Sequence, residues 1–289
     1  MKQRRVYSIV GFVAVCLALA VPVGAGTLKC PPDSVKVGNV CIGTYEASVW
    51  QIDPANTKLV KKVQDGKATL ADLTAGGAKQ LAPASICGNV VPPEPPIDYG
   101  ITFPKTGNWT PVPGSKPPSP GVYAVSIPGV EPSACITWFQ ANQACLVSGK
   151  RLLTNREWQG AAAGTPDPGT DNRATDCAVN SPDPVSTGER SSCKSSWGVF
   201  DMVGNVDEWV ADWADRANVG CTDWTSQTGI AGGDFSCFGG DGSGASNQVP
   251  GALHRGGSWL GGTSAGVFAV SALQYPSVSR DEIGFRCAR

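Results

Sequence analysis

The spacing of apolar residues near the middle of the chain predicts an α-helix. Trp138, Ala141 and Ala144 recur at helical intervals. Thr137 precedes them and is a residue type suited to cap a helix start, whereas Gly149 is suited to end one because glycine takes the left-handed conformation without strain. The pattern therefore predicts a helix between these two residues.

A second helix is predicted directly afterwards. Thr154 and Glu157 have the spacing of a capping box, in which two side chains satisfy backbone N–H groups at the start of a helix. The helix is expected to run through Ala163 and to end at Gly164. Trp158 lies on this helix and is expected to face the core.

Short runs of β-favouring residues predict strands towards both ends of the chain. Residues 30–50 contain two such runs around a Gly38 turn, which predicts a hairpin. An alternating run at 267–273 and the closing segment 283–287 predict the last strands. Between about 51 and 130, proline, glycine and small polar residues dominate, so we expect an insertion of irregular loops there.

Residues 198–213 combine four carboxylates, two glycines and several large apolar side chains. Asp201, Gly204, Val206 and Glu208 are placed so that a tight loop would bring their oxygen atoms together, and converging oxygens suit a hard cation such as calcium. A surface turn, with Gly204 at positive φ and the acids in water, fits the same residues. The residue types alone leave both interpretations open.

The chain has 289 residues and is 41% apolar, so it is long and apolar enough for one large domain or two small ones with a real core. Its formal net charge is -1. Its lysines and arginines form no basic stripe after the N-terminus. Nucleic acid is therefore not expected as a partner.

The N-terminus has the pattern of a secretory signal peptide. Residues 1–25 contain a basic start, an apolar run at 6–20 and small residues at 23–25. The apolar run is too short to span a bilayer comfortably, and Val15 before Cys16 is larger than a lipidation site prefers. We therefore expect an exported protein without a transmembrane span, either periplasmic or extracellular.

Cysteine usage supports export. Without Cys16, ten of the eleven cysteines remain, and an even number in an exported chain predicts five disulfides. Zinc binding is the weaker interpretation, because the chain has one histidine and no pair of cysteines separated by two residues.

The chain resembles the formylglycine-generating enzyme family, also called the sulfatase-modifying factor family, in four ordered stretches. These are ITWFQANQACLVSGKRLLTNREW, GVFDMVGNVDEW, HRGGSW and GFRCAR. The resemblance covers about 133–289, and CIGTYEASVW at 41–50 is similar to the family's first strand. It implies an α+β fold, low in regular secondary structure and similar to C-type lectins, over a single domain at 26–289 that contains the 51–130 insertion.

The same resemblance implies particular disulfides. A bridge between the first helix and the last strand would join Cys145 to Cys287. The other pairs are then expected to be local, and connectivity cannot be deduced from sequence. The expected local pairs are Cys30–Cys41, Cys177–Cys193, Cys221–Cys237 and Cys87–Cys135.

The resemblance favours the calcium interpretation of the 198–213 loop. Family members bind calcium with the side chains at the positions of Asp201 and Glu208 and with the backbone carbonyls at Gly204 and Val206. This chain keeps all four residue types. It departs at Asp207, where the family usually has tryptophan, so the packing beside the ion is expected to differ.

The resemblance also shows which catalytic residues are missing. Catalysis in the family uses copper(I) bound by two cysteines in the strand after the GGS motif, and soft thiolates suit that metal. Gly266 and Ser271 stand at the matching positions and cannot bind copper(I) in this way. Relatives that use iron need three imidazoles, and His254, expected at a strand end or on the surface, is the only histidine. No copper or iron is therefore expected.

Together these observations predict an exported, calcium-stabilised and non-catalytic domain. It is expected to bind a protein, peptide or glycan ligand through loops around Trp197, Trp224 and the glycine-rich 230s. The alternative is a protein-modifying oxidase of the sulfatase-maturation type, or another activity in the same cleft. A variable lectin-like receptor is a further, minor alternative.

Overall fold

The computed structural model describes residues 28–87, 99–116, 118–215 and 250–289, without the side chains of Cys87 and Asp215. The expected signal peptide at 1–25 and the expected Cys221–Cys237 bridge lie outside these residues and stay predictions. Among the described residues, no helix is long and apolar enough to cross a membrane.

Strands in the described residues form three small sheets. The strands are β1 (Ser34–Val37), β2 (Val40–Gly43), β3 (Ala47–Gln51), β4 (Lys79–Leu81), β5 (Val122–Ser126), β6 (Arg151–Leu152), β7 (Asp207–Asp215), β8 (Pro250–Gly256), β9 (Gly266–Ser271), β10 (Ile283–Phe285) and β11 (Cys287–Ala288). The sheet orders are β1-β2-β11-β6, β10-β7-β8-β9 and β4-β3-β5. β10 pairs in parallel with β7, and the other pairs described are antiparallel.

Helices are short and few among the described residues. They are α1 (Thr57–Gln64), α2 (Leu70–Ala75), α3 (Ala84–Cys87), α4 (Trp138–Val147) and α5 (Asn155–Ala161), with a 3-10 turn at Gly262–Ser264. Both predicted helices are present as α4 and α5. Thr137 forms a capping box with Gln140, and Thr154 forms one with Glu157, so each helix starts where its capping residue predicts.

The N-terminal hairpin is also present, and the C-terminus completes its sheet. Val37 pairs with Val40 across a turn in which Gly38 has φ 59°. The last strand, β11, then pairs with β2 and β6, so the two ends of the domain lie in one sheet. The segment expected at 283–287 is divided into β10 and β11 at Arg286, whose side chain is buried in the site described below.

The prediction of irregular loops throughout 51–130 was wrong. This segment contains α1, α2, α3, β4 and β5, and β5 pairs with β3 along five residues in the third sheet. Leu59 and Val63 form the buried side of α1, while Asn56 caps its start. The proline and glycine content of the connecting loops masked these short periodic runs.

Two hydrophobic clusters lie on either side of β7. Trp209 and Phe285 belong to the first cluster, which also includes the inner face of α4. Trp158, Met202 and Val210 belong to the second, below α5. Because adjacent residues of a strand face opposite sides, β7 contributes to both clusters, and Met202 of the loop that precedes it packs in the second.

Three disulfides join the pairs that the sequence analysis expects. They are Cys30–Cys41, Cys145–Cys287 and Cys177–Cys193. Cys135 is also disulfide-bonded, while the side chain of its expected partner, Cys87, lies outside the described residues. Cys145–Cys287 connects α4 to the terminal strand across 142 positions of the sequence, so it ties the helical layer to the first sheet.

Candidate functional site

The segment before β7 is a tight, buried loop. Three of its residues have left-handed backbone conformations, with φ 59° at Asp201, 74° at Gly204 and 59° at Asn205. A Cβ at Gly204 would lie 2.2 Å from the carbonyl oxygen of Ala178, so this position accepts only glycine without rearrangement. The Asn205 N–H donates to that same carbonyl at 2.8 Å.

The loop is not a solvated acidic turn. Asp201 is 2% exposed and Glu208 is 1% exposed, and Gly204 and Val206 are buried with them. The surface-turn alternative was therefore wrong, because these acids are buried rather than in water and Met202 of the same loop packs in the second hydrophobic cluster.

Arg286 is the cation at the centre of this loop. Its Nη2 donates to Glu208 Oε1 at 2.6 Å and to the Phe200 carbonyl at 2.7 Å, and its Nε is 3.1 Å from both carboxylate oxygens. Its Nη1 donates to the Gly43 carbonyl at 2.8 Å. The Trp158 indole N–H donates to Glu208 Oε2 at 2.8 Å. Each oxygen of the Glu208 carboxylate therefore accepts at least one hydrogen bond.

A third acid, Glu46, reaches the loop from the end of the N-terminal hairpin. Its carboxylate accepts hydrogen bonds from the side-chain amide of Asn205 at 2.6 Å and from the Val206 N–H at 3.1 Å. Glu46 is fully buried. The loop before β7 is thus held by side chains from both ends of the chain.

Buried negative charge exceeds buried positive charge in this cluster. Burial and the charges of Asp201 and Glu208 raise the pKa of Glu46 well above its usual value. Burial also raises the pKa of Asp201 to about 7, although the Gly188 N–H and Arg286 act in the opposite direction. Burial is the largest cause of both shifts, and the neighbouring carboxylates add to it.

The residue types of this loop suit an additional oxygen-preferring cation, and two of the expected donors already have partners. Uncompensated buried carboxylates are stabilised by a bound cation, and the expected donors are all oxygen atoms. Asp201 Oδ2 already accepts from the Gly188 N–H at 2.7 Å, and Glu208 is shared with Arg286. Among the described residues, no group of three or more His, Cys, Asp or Glu side chains is arranged to hold a metal ion. The expected calcium ligands include only two such side chains, those of Asp201 and Glu208. The backbone carbonyls of Gly204 and Val206 must therefore supply the remaining protein ligands.

Sequence reasoning did not assign roles to Glu46 and Arg286. Glu46 had a usable signal, because it is a lone acid between the two β-favouring runs that form β2 and β3. Arg286 lies in the GFRCAR stretch, between two buried strands. A charged residue in such a position requires a partner, although the sequence does not say which one.

The two positions expected for copper-binding cysteines lie at the ends of β9. Gly266 begins the strand and Ser271 ends it. A Cβ at Gly266 would lie 2.7 Å from Asp167 Oδ2, and the same oxygen accepts a hydrogen bond from the Val267 N–H at 3.0 Å. A carboxylate therefore lies where a side chain at position 266 would begin.

Cysteines elsewhere in the described residues do not supply thiolates. Every cysteine whose side chain is described is disulfide-bonded. Copper(I) coordination of the family type would thus need cysteines outside the described part of the chain.

The expected position of His254 at a strand end or on the surface was wrong. His254 lies within β8, is 6% exposed and contacts the Trp209 ring edge to face. Its Nδ1 is 3.1 Å from Asp207 Oδ1, without the geometry of a hydrogen bond. Asp207 Oδ1 instead accepts a hydrogen bond from the Gly257 N–H at 3.0 Å. Asp207, at the position expected to hold tryptophan in the family, therefore connects the start of β7 to the residue that follows β8.

The expected ligand loops are described only in part. Trp197 is 47% exposed, as a binding residue on a loop would be. Trp224 and the glycine-rich 230s lie outside the described residues, so their role stays a prediction.

A family model for the sulfatase-modifying factor enzyme 1-like domain matches residues 27–289. The chain belongs to this family. The α+β architecture described above, with short helices and several disulfides, is the fold of this sulfatase-modifying factor domain. None of the curated protein sequences matches the chain.

Solved structures that resemble this sulfatase-modifying factor domain do so at low identity. PvdO from Pseudomonas aeruginosa is 17% identical over 86% of this chain and 80% of its own, with a TM-score of 0.38. Treponema denticola variable protein 1 is 18% identical over 86% and 84%, with a TM-score of 0.39. The Major Tropism Determinant I1 variant is 24% identical over 53% of this chain, which spans 37% of that protein, with a TM-score of 0.37. The family assignment rests on the sequence match.

Proposed function

We propose that the chain is an exported, calcium-stabilised and non-catalytic sulfatase-modifying factor domain that binds a protein, peptide or glycan partner, in the periplasm or outside the cell. The observation that carries the proposal is that Gly266 and Ser271, at the two ends of β9, bring no thiol to the positions of the family's copper ligands. Glycine has no side chain and a serine hydroxyl is a poor ligand for copper(I), which prefers soft thiolates. The fold is thereby kept while its copper chemistry is lost.

Export is supported by the N-terminal pattern and by the disulfides. Bridges form and persist in oxidising compartments, and three are present among the described residues. A partner-binding role is supported by exposed apolar side chains on and just after β9, where Phe268 is 78% exposed and Val270 and Leu273 are more than two-fifths exposed. Phe268 and Val270 are two residues apart on β9 and so lie on the same face of the strand, and exposed apolar side chains grouped on one face are a feature of interaction sites.

The non-catalytic role is tested with copper(I) and a cysteine-containing sulfatase peptide. We expect no stoichiometric copper(I) binding by the purified wild-type protein and no conversion of the peptide cysteine to an aldehyde. Copper binding is measured by competition with a chromophoric cuprous chelator, and the aldehyde by mass spectrometry after hydrazide labelling. Stoichiometric binding together with aldehyde formation would establish the oxidase alternative instead.

Calcium is assigned to the loop that contains Asp201, Gly204, Val206 and Glu208, where it would add positive charge beside the three buried acids. A ligand bound only by the folded state at about 100 times its Kd stabilises by about 2.7 kcal/mol. Removal of calcium by a chelator is therefore expected to lower Tm by about 5 °C or more. Thermal unfolding with and without the chelator measures this difference.

Two variants make the calcium test specific to the loop. Asp201→Ala should unfold at the same temperature with and without the chelator, because it lacks one of the two side-chain donors. Asp183→Ala, at an exposed position, should keep the wild-type shift. A wild-type protein that does not respond to the chelator, or an Asp201→Ala variant that responds fully, would contradict the assignment.

A further inference from the structure

A cleft of about 290 Å³ lies between α1 and the loop that precedes β5. Both walls belong to the 51–130 segment, and Val147 of α4 contributes the remaining side. The volume is near the lower end of the range for small-molecule sites. It shares no lining residue with the loop at 201–208 or with Gly266, so it is a separate feature of the domain.

One face of α1 is directed at this cleft. Thr57, Val60, Lys61 and Gln64 all line it, and their spacing places them on one side of the helix. Leu59 and Val63 on another side are buried in the hydrophobic cluster below the third sheet. The helix is therefore anchored by its apolar side and presents a mixed polar and apolar side to the cleft.

The opposite wall is fixed by local hydrogen bonds. The Val112 N–H donates to the Ser119 carbonyl at 2.8 Å, and the Ser119 N–H donates to Ser115 Oγ at 3.2 Å. The side chain of Gln64 crosses to the Val147 carbonyl at 3.1 Å, which joins α1 to α4 at one end. The cleft is thus formed without a ligand, which reduces the ordering that binding would require.

Two hydroxyl groups in the cleft can donate to a ligand. Ser119 Oγ and Tyr123 Oη are 2.7 Å apart, and Ser119 Oγ also accepts from the Gly121 N–H at 3.1 Å. One hydroxyl proton is used between Ser119 and Tyr123, which leaves the other proton of the pair available to a ligand. Burial raises the pKa of Tyr123, partly offset by Ser119, so the phenol keeps its proton at neutral pH.

Charge in the cleft is positive. Lys61 and Lys116 line it, and no carboxylate among the described residues does. Asp65 follows the last residue of α1, and its carboxylate forms a salt bridge of 3.2 Å with the Lys61 ammonium. Asp65 itself does not line the cleft. Apolar contacts come from Val60, Val147 and two prolines.

From the cavity, the donors and the charge, we infer that this cleft binds a small organic carboxylate. The apolar part of this ligand would lie between α1 and α4, and its carboxylate would lie towards Lys116.

The test uses benzoate and butyrate as probes, with benzamide and benzylamine as the neutral and cationic counterparts of benzoate. Saturation-transfer NMR on the full-length wild-type protein should show binding of at least one carboxylate, with weaker or no binding of both counterparts. Lys116→Glu should weaken the bound carboxylate by about tenfold or more, as loss of a charge-assisted contact and gain of a like charge predict. Lys58→Glu, which changes an exposed lysine of α1 outside the cleft, should leave binding unchanged.

Failure of both carboxylates to bind would overturn the inference. Equal binding of benzamide or benzylamine, or equal weakening by Lys58→Glu and Lys116→Glu, would overturn it as well. Lys116 is exposed, so its replacement should not affect folding, and unchanged Tm of both variants checks this. None of these outcomes depends on copper or calcium, so failure here is distinguishable from failure of the proposed function.

Discussion

Replacement of Arg286 by methionine is expected to lower the free energy of unfolding by about 3 to 5 kcal/mol. The guanidinium is 1% exposed and donates to the Glu208 carboxylate and to two carbonyl groups. Methionine fills much of the same volume but supplies no donor. The variant would therefore bury an unpaired carboxylate and two unsatisfied carbonyls, beside Glu46 and Asp201, whose charges Arg286 also compensates.

The Arg286 prediction is measured by urea unfolding at neutral pH, with three comparison variants. Arg151→Met removes a salt bridge to Glu157 from a side chain that is 42% exposed, and it should cost less than about 1 kcal/mol. Arg286→Lys keeps the charge without the planar set of donors and should be intermediate. Arg286→Met with Glu208→Gln should be less destabilised than Arg286→Met alone, because the unpaired charge is gone. A cost for Arg286→Met as small as that of Arg151→Met would refute the central role of this cation.

The elements that sequence reasoning predicted correctly are those whose signals are local. Thr137 and Thr154 each stand three residues before a side chain that completes a capping box, so the starts of α4 and α5 could be read directly. The hairpin of β1 and β2 has its turn glycine in the same way. In contrast, α1 occupies only eight residues after a proline-containing loop, and its apolar side consists of Leu59 and Val63. Two buried positions are too few to be distinguished from chance by periodicity.

Only the part of the candidate site that lies within one short segment of the sequence could be predicted. Asp201, Gly204, Val206 and Glu208 lie within eight residues, so one motif identified the loop. Glu46 and Arg286 approach it from positions about 160 and 80 residues away in the sequence, as their hydrogen bonds record. Nothing local specifies such contacts, because they result from the way the first and last strands share a sheet. The inward direction of the acids follows from the same packing, and this is why the surface-turn alternative was open before the structure was known.

Removal of the Cys145–Cys287 disulfide by a double replacement with alanine is expected to cost about 5 kcal/mol. The bridge spans 142 positions, and in the chain-entropy account the stabilisation grows with the length of the closed loop. Both sulfur atoms also belong to the first hydrophobic cluster, so their loss leaves unfilled space beside α4. Alanine at both positions avoids a free thiol that would exchange with other bridges.

The Cys30–Cys41 bridge provides the matched control for this effect. It spans 11 positions, for which the same account gives about 3 kcal/mol, so the two double-alanine variants should differ by about 2 kcal/mol. Urea unfolding of both variants under non-reducing conditions measures this difference. The long bridge joins α4 to the terminal strand that sets Arg286 in place, so its loss should also weaken the buried ion pair, whereas the short bridge stabilises only the hairpin. Equal costs for the two variants would mean that the terminal strand is held by its hydrogen bonds and by Arg286 alone, and that the bridge adds little to the folded state.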